Sequence, residues 1–268
     1  MTREPVVAGR FYGGTEKALL SEIKECAKGI SKEKVKALGA VLPHAGFVYS
    51  GKVAAEVMSR LETPDTFIIF GPNHTGRGTP ASIMTEGSWS TPLGEVEIDS
   101  ELALEMLKDS SFLEKDSKAH EEEHSIEVQL PFLQYFHKGF KFVPVCIASG
   151  RAEDLVNLGE ETALAIRKSG KSICIIASSD MTHYEPQETA INKDKIAIDA
   201  ILELDEKKLY NIVRKEAISM CGVAPVMVML AAVKKLGAKK AELVKYITSG
   251  ETSGDYEQVV GYAGLIIH

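Results

Sequence analysis

The sequence predicts an α/β domain with a mostly parallel or mixed central sheet flanked by helices, and three observations carry that prediction. Short apolar, β-branched runs alternate with amphipathic segments of helical period, the pattern of a sheet covered on its faces. No Gly, Ser or Pro run, low-complexity tract or fixed-period repeat divides the chain, so 1–268 reads as one domain. Of the 268 residues 44% are hydrophobic, and a chain of this length can bury about 75% of its unfolded surface in one core.

Helix is expected first over 15–28 (TEKALLSEIKECAK), then strand over 35–42 (VKALGAVL) and helix over 51–61. The run TFIIF makes 66–70 a strand, and 81–98 suits an antiparallel hairpin. Helices are expected over 100–108 and 124–136; in the second the apolar pattern runs Ile126, Val128, Leu130, Phe132, Leu133, with Pro131 expected to kink or tighten it. Strand 140–147 (FKFVPVCI), helix 152–168 and strand 172–178 (SICIIAS) continue the alternation. Helices 192–204, 206–215 and 222–236 come next, and strands 242–249 and 258–267 close the chain.

Charge and composition exclude several functions. Lys plus Arg number 31 against 38 Asp plus Glu, a formal charge of -7, and the pI is near 5.6. That balance offers no electrostatic footprint for nucleic acid or an anionic membrane. The longest apolar stretch, 223–233, falls short of the roughly 20 residues that span a bilayer. Cys26, Cys146, Cys174 and Cys221 form no CxxC pair, and the N-terminus has no signal-like apolar core, so a reducing, cytoplasmic setting is expected. Neither GxxxxGK[ST] nor GxGxxG occurs between a strand and a helix, against a nucleotide-binding loop.

The informative residues lie just beyond the strand ends. The first strand runs into PHAG with His44, the next into GPNHTG with His74, and the strand over 172–178 into SSDMTHY with Asp180 and His183. Open α/β sheets bind ligands beyond the carboxyl ends of their strands, so parallel strands would bring these loops to one edge. Any one histidine in a loop is ordinarily a surface residue, but three of the seven at equivalent strand ends point to a shared site. Cys221 precedes a long apolar helix, where the helix start favours a thiolate, with a small buried hydrophobe as its bland alternative. Cys146 and Cys174, inside apolar strands, read as core. His120 and His124 satisfy HExxH literally, yet every intervening residue is Glu and the apolar pattern starts only at Ile126, so His120 is expected to be solvated. His124 and Glu127 are expected at the rim of the cleft, supporting the ligands without binding the metal themselves.

Eight motifs, in order, resemble the Memo family, named for a mediator of cell motility in animals: VAGRFYGG, LPHAGFVYSG, FGPNHTG, STPLGEVEID, EHSIEVQLPFLQ, SSDMTHY, CGVAPV and VGYAGLIIH. The resemblance spans essentially the whole chain and implies a fold similar to the class III extradiol dioxygenases, which use non-haem iron. It implies His44, His74 and Cys221 as ligands of one transition-metal ion (iron or copper, with zinc a further candidate) and Asp180 and His183 as catalytic residues in the same cavity. Cys221 stands where those enzymes carry a carboxylate, and a thiolate shifts preference toward softer ions such as Cu(I) or Zn(II).

Two functions are expected from this. One is a metal-dependent redox protein or dioxygenase-like enzyme acting on a small molecule, with His183 exchanging a proton under orientation by Asp180. The other is a non-catalytic module that binds a peptide or protein in the same cleft. Microbial relatives encoded beside a radical-SAM protein imply a partner of that kind.

Overall fold

Four parallel strands, each a short apolar run, organise the fold. The computed structural model describes residues 1–31, 33–108 and 110–268. The first half of the chain forms β1 (Thr2–Arg3), α1 (Glu16–Cys26), β2 (Gly39–Leu42), α2 (Phe47–Arg60), β3 (Thr66–Pro72), β4 (Ala81–Ile83), β5 (Ser88–Thr91) and β6 (Gly94–Glu97). Then come α3 (Ser100–Lys108), β7 (Glu114–Lys115), α4 (Leu130–Phe136), β8 (Lys141–Ile147), α5 (Ala152–Ser169), β9 (Ile173–Ser178) and β10 (His183–Glu185). The chain ends with α6 (Gln187–Leu202), α7 (Glu206–Lys215), α8 (Val223–Leu236), β11 (Ala241–Thr248) and β12 (Val259–Ile267). Two 3-10 turns, Lys118–His120 and Glu127–Gln129, precede α4.

The main sheet has the order β10-β12-β2-β9-β3-β8-β4-β7, with β11 also paired to β12. Strands β2, β9, β3 and β8 run parallel, whereas β12 and β4 join them antiparallel on either side. The mixed sheet is therefore parallel at its centre. β2, β3 and β9 are buried along their whole length, which is why their sequences are continuous apolar runs without alternation. Helix α8, buried from Pro225 to Val233, packs on β2, β3 and β9, and α2 packs on β2, β11 and β12. A small second sheet, β1-β5-β6, ties the N-terminus to a hairpin inside the expected 81–98 segment, while β4 joins the main sheet. Among the described residues no helix is long and apolar enough to cross a membrane.

Four expectations change, the first being the helix expected over 51–61, which runs from Phe47 to Arg60. The strand expected over 35–42 begins only at Gly39, and Val35 makes an isolated bridge to Leu61. The helix expected over 192–204 starts at Gln187 and ends at Leu202. The helix expected over 124–136 is broken: a 3-10 turn leads into a seven-residue α4 whose first turn contains Pro131. Proline is accommodated there because the N–H it lacks has no partner in a first helical turn.

Candidate metal centre

Because β2, β3 and β9 are parallel neighbours, their C-terminal ends open on one edge, and the loops beyond them bring polar side chains together. His44, two residues beyond β2, is 2% exposed. His74 is two residues beyond β3 and Asp180 two beyond β9. Cys221 arrives from the opposite direction, just ahead of Gly222 and α8. A Cβ at Gly222 would collide with the carbonyl oxygen of Ser178, so only glycine lets this turn press against the end of β9. The Gly222 N–H donates to Ser179 Oγ at 3.0 Å and fixes the approach.

Two imidazoles and a thiol result: one donor atom each from His44, His74 and Cys221 lies within 4.8 Å of the others. Cys221 Sγ is 3.2 Å from His44 Nε2 and accepts the Asp180 backbone N–H at 3.3 Å. Two nitrogens and a sulfur at this separation are a donor set that suits Zn or Cu, with no carboxylate in the trio. His44 and His74 of this group border a cleft of about 540 Å³ whose lining also includes His124, Asp180 and His183, with Cys221 behind His44 and outside the lining. Chain segments more than a hundred residues apart in places thus meet at one edge.

Electrostatics are set by burial. Burial, with the neighbouring imidazoles, pushes His44 well below the ordinary histidine value, so it is neutral. Burial works against a charge on His74, but the hydrogen bond and charge of Glu123 outweigh it and raise His74. Burial also opposes ionisation of Glu123, yet the hydrogen bond from His74, its charge and backbone N–H groups bring the carboxyl down to about 2. Asp180 is raised by burial despite the His44 N–H it accepts at 2.8 Å. Burial and then the Asp180 carboxylate push the Cys221 thiol up, opposite to the direction its place before a helix suggests.

Some residues sit where the sequence did not put them. Glu127 is fully buried and turned away from the cleft: it pairs with Arg3 at 2.5 Å and accepts the Val6 and Val7 N–H groups and the Tyr12 hydroxyl. It fastens the N-terminal segment, whose Phe11 ring lies 4.9 Å from that of His124. His124 does line the cleft, its ring stacked on His74 at 4.9 Å. His183 is held by Ser219, whose Oγ accepts its backbone N–H at 2.7 Å and whose carbonyl faces its Nδ1 at 3.0 Å, in place of the expected Asp180. His120, expected in solvent, is wholly buried between the Ser82 carbonyl and Cys146 Sγ. Its imidazole points into the core while His124 faces the cleft, so the HExxH spacing does not form a two-histidine site.

Sequence reasoning missed Glu123. It is 0% exposed, accepts three backbone N–H groups and lies 2.9 Å from His74 Nδ1, while Glu121 and Glu122 beside it pair with Arg77 at the surface. Three consecutive glutamates carry no signal that tells the buried one from its solvated neighbours. Ser178 and Gln129, which contact His44 or its hydrogen-bond partner, were hidden inside a strand and an amphipathic pattern.

Comparison with known proteins extends the picture. A family model described as Memo-like protein matches residues 3–266. The chain is similar to a MEMO1 family protein of Methanococcoides burtonii, 47% identical over 266 residues covering 99% of each chain. It is likewise similar to relatives from Methanosarcina mazei, 48% identical over 99% of this chain and 98% of that one, and Methanopyrus kandleri, 43% identical over 99% of each. Among solved structures it resembles an uncharacterized protein of Escherichia coli K12 with a TM-score of 0.54 at 14% identity, covering 85% of this chain and 99% of that one, a likeness of fold alone.

Proposed function

The chain belongs to the Memo family, and from that premise we propose that its strand-end cleft is a metal site in which His44, His74 and Cys221 hold one transition-metal ion for redox chemistry on a small molecule. The supporting observation is the trio itself: two imidazoles and one thiol, from three separate turns, with donor atoms within 4.8 Å of one another. When bound, copper or iron would supply one-electron chemistry and zinc would supply Lewis acidity.

The chain's own groups have defined tasks. Asp180 anchors the His44 backbone through one carboxylate oxygen and borders the cleft. Ser219 carbonyl accepts the Nδ1–H of His183, leaving Nε2 as the nitrogen that can exchange a proton with a substrate in the cleft. The expected result is one equivalent of metal in purified wild type and none in a His44→Ala/His74→Ala double variant that melts at a similar temperature. Equal, negligible metal in both would remove the reading.

A second reading uses the same cleft to bind a peptide without chemistry, and the exposed mouth favours it: Val48 is 63%, Tyr49 38% and Tyr184 72% exposed. Unchanged peptide or partner binding, a radical-SAM protein included, by a His44→Ala/His74→Ala/Cys221→Ser triple variant would favour this reading over the first.

A further inference from the structure

We infer that Glu123 and Ser178 are positioning residues that commit His74 and His44 to the Nδ1–H tautomer, so that both imidazoles present an unprotonated Nε2 as their ligand atom. The inference deepens the metal reading and rests on it for its purpose, but the tautomers themselves come from counting protons around two buried side chains.

Around Glu123, three of four neighbours are backbone N–H groups that can only donate. His74 N–H reaches Oε2 at 2.5 Å, and His124 N–H and Ser125 N–H reach Oε1, each at 2.9 Å. A carboxyl surrounded in this way has no place for a proton of its own and acts as an acceptor on both oxygens. His74 Nδ1, 2.9 Å from Oε1, must therefore carry the hydrogen. A ligand role for Glu123 itself, with His74 and His124, is geometrically conceivable because their atoms also cluster within 4.8 Å. The four N–H groups already aimed at its oxygens argue against it, since a cation there would face those donors.

Around Ser178 the count is equally closed. The hydroxyl donates its one proton to the Ser125 carbonyl at 2.7 Å, which can only accept. Gln129 Nε2 lies 2.9 Å from both the Pro43 carbonyl and Ser178 Oγ; the carbonyl fixes the amide's orientation, so Nε2 donates to the hydroxyl as well. The lone pair left on Oγ faces His44 Nδ1 at 2.9 Å, and that nitrogen must be the donor. His44 Nε2, unprotonated, is the atom 3.2 Å from Cys221 Sγ. One short stretch, residues 123–129, thus sets both tautomers. Gly71 in β3 permits it, because a Cβ there would lie 2.5 Å from Ser125 Oγ. Carboxylate or carbonyl partners behind metal-binding histidines orient the ring and raise its basicity, and their loss costs about tenfold to a hundredfold in metal affinity.

The test uses the full-length protein labelled with ¹⁵N at histidine. Long-range ¹H–¹⁵N spectra of the metal-free wild type, recorded at a pH high enough that both imidazoles are neutral, should show His44 and His74 protonated at Nδ1 only; an Nε2–H pattern at either would overturn the assignment for that residue's partner. Glu123→Ala removes the acceptor that faces His74 Nδ1, so the His74 pattern should move toward Nε2–H while His44 keeps its own. Zn(II) affinity, read by competition against a chromophoric chelator, should fall by about tenfold to a hundredfold, and Glu123→Asp should recover part of it. A Glu123→Ala protein with wild-type tautomer and wild-type Zn(II) affinity would sink the inference even if His74→Ala abolishes binding and the metal reading stands. If wild type binds no Zn(II), Cu(I) or Fe(II), the metal reading falls, and the tautomers of the metal-free protein still decide this one.

Discussion

Cys221 shows how far a single side chain depends on residues distant in sequence. Its place before α8 suggests a stabilised thiolate, but burial and the Asp180 carboxylate, 41 positions away, push the thiol up instead. A helix start is visible in sequence, whereas the carboxylate that folding sets beside it is not. The thiol's present contacts are weak because sulfur is a poor donor and acceptor: 3.3 Å to Asp180 N, 3.2 Å to His44 Nε2 and 3.7 Å to the Asp180 carbonyl. They hold little folding energy, on the order of 1 kcal/mol in all. Cys221→Ser should therefore change urea-unfolding stability by no more than about that amount, because serine keeps the volume roughly and can make the same bonds. Metal retention should fall by more than the roughly tenfold to hundredfold typical of an outer partner, since an alcohol binds soft ions poorly. A Cys221→Ser protein that keeps its metal would move the third ligand elsewhere, with Asp180 the nearest carboxylate candidate.

The segment from Glu123 to Phe136 is where element-level reading failed in an instructive way. Its apolar residues at helical spacing are real and buried: Ile126, Val128, Leu130, Phe132 and Leu133. A period of that kind reports which residues face the core and says nothing about polar side chains that must also be satisfied. Here Glu123 turns to His74, Ser125 to Pro72, Glu127 to the N-terminal segment and Gln129 to Pro43, and a regular helix could not aim all four. The backbone becomes a 3-10 turn until Leu130, beyond which apolar residues dominate and α4 forms. Glu127 gives the clearest prediction. Its side chain is 0% exposed and that of Arg3 6%, so Glu127→Ala leaves a buried guanidinium without its carboxylate, a loss of about 3–5 kcal/mol. Glu127 also holds Val6, Val7 and Tyr12, so residues 4–12 should become sensitive to limited proteolysis in the variant. A Glu127→Ala protein within about 1 kcal/mol of wild type in urea and equally resistant to protease would show that the segment is fastened by its apolar contacts alone.

At the scale of the whole molecule, the parallel centre of the sheet was legible because β2, β3, β8 and β9 are buried on both faces and so lack the alternation of a half-exposed strand. Convergence of His44, His74 and Asp180 was legible for the same reason, since parallel strands share an edge. Burial of particular polar residues was not, and His120 and His137 are examples: each is at most 1% exposed, His120 although the chain around it is polar and His137 although it ends a helix beside Lys138. Both carry a consequence for the stability of the entire fold. Burial holds His120 and His137 neutral, with folded-state values of about 4, against about 6.5 in an unfolded chain. Between those limits the unfolded state takes up a proton that the folded state refuses, so the unfolded chain binds more protons and stability rises with pH. The contribution is complete above about pH 6.5 and is lost progressively as pH falls toward 4. From pH 7 to pH 5 each histidine should withdraw about 2 kcal/mol, at roughly 1.4 kcal/mol per unit of pKa difference. His137→Leu isolates one of the two: its ring partners Phe67 and its Nδ1 meets Thr63 Oγ1 at 2.9 Å, far simpler surroundings than those of the cleft. Urea unfolding of wild type and His137→Leu at pH 7 and pH 5 should give a variant that is less stable at pH 7 but loses about 2 kcal/mol less on acidification. Parallel losses in the two proteins would mean that His137 is protonated inside the fold at pH 5, and its neutral burial would no longer explain acid sensitivity.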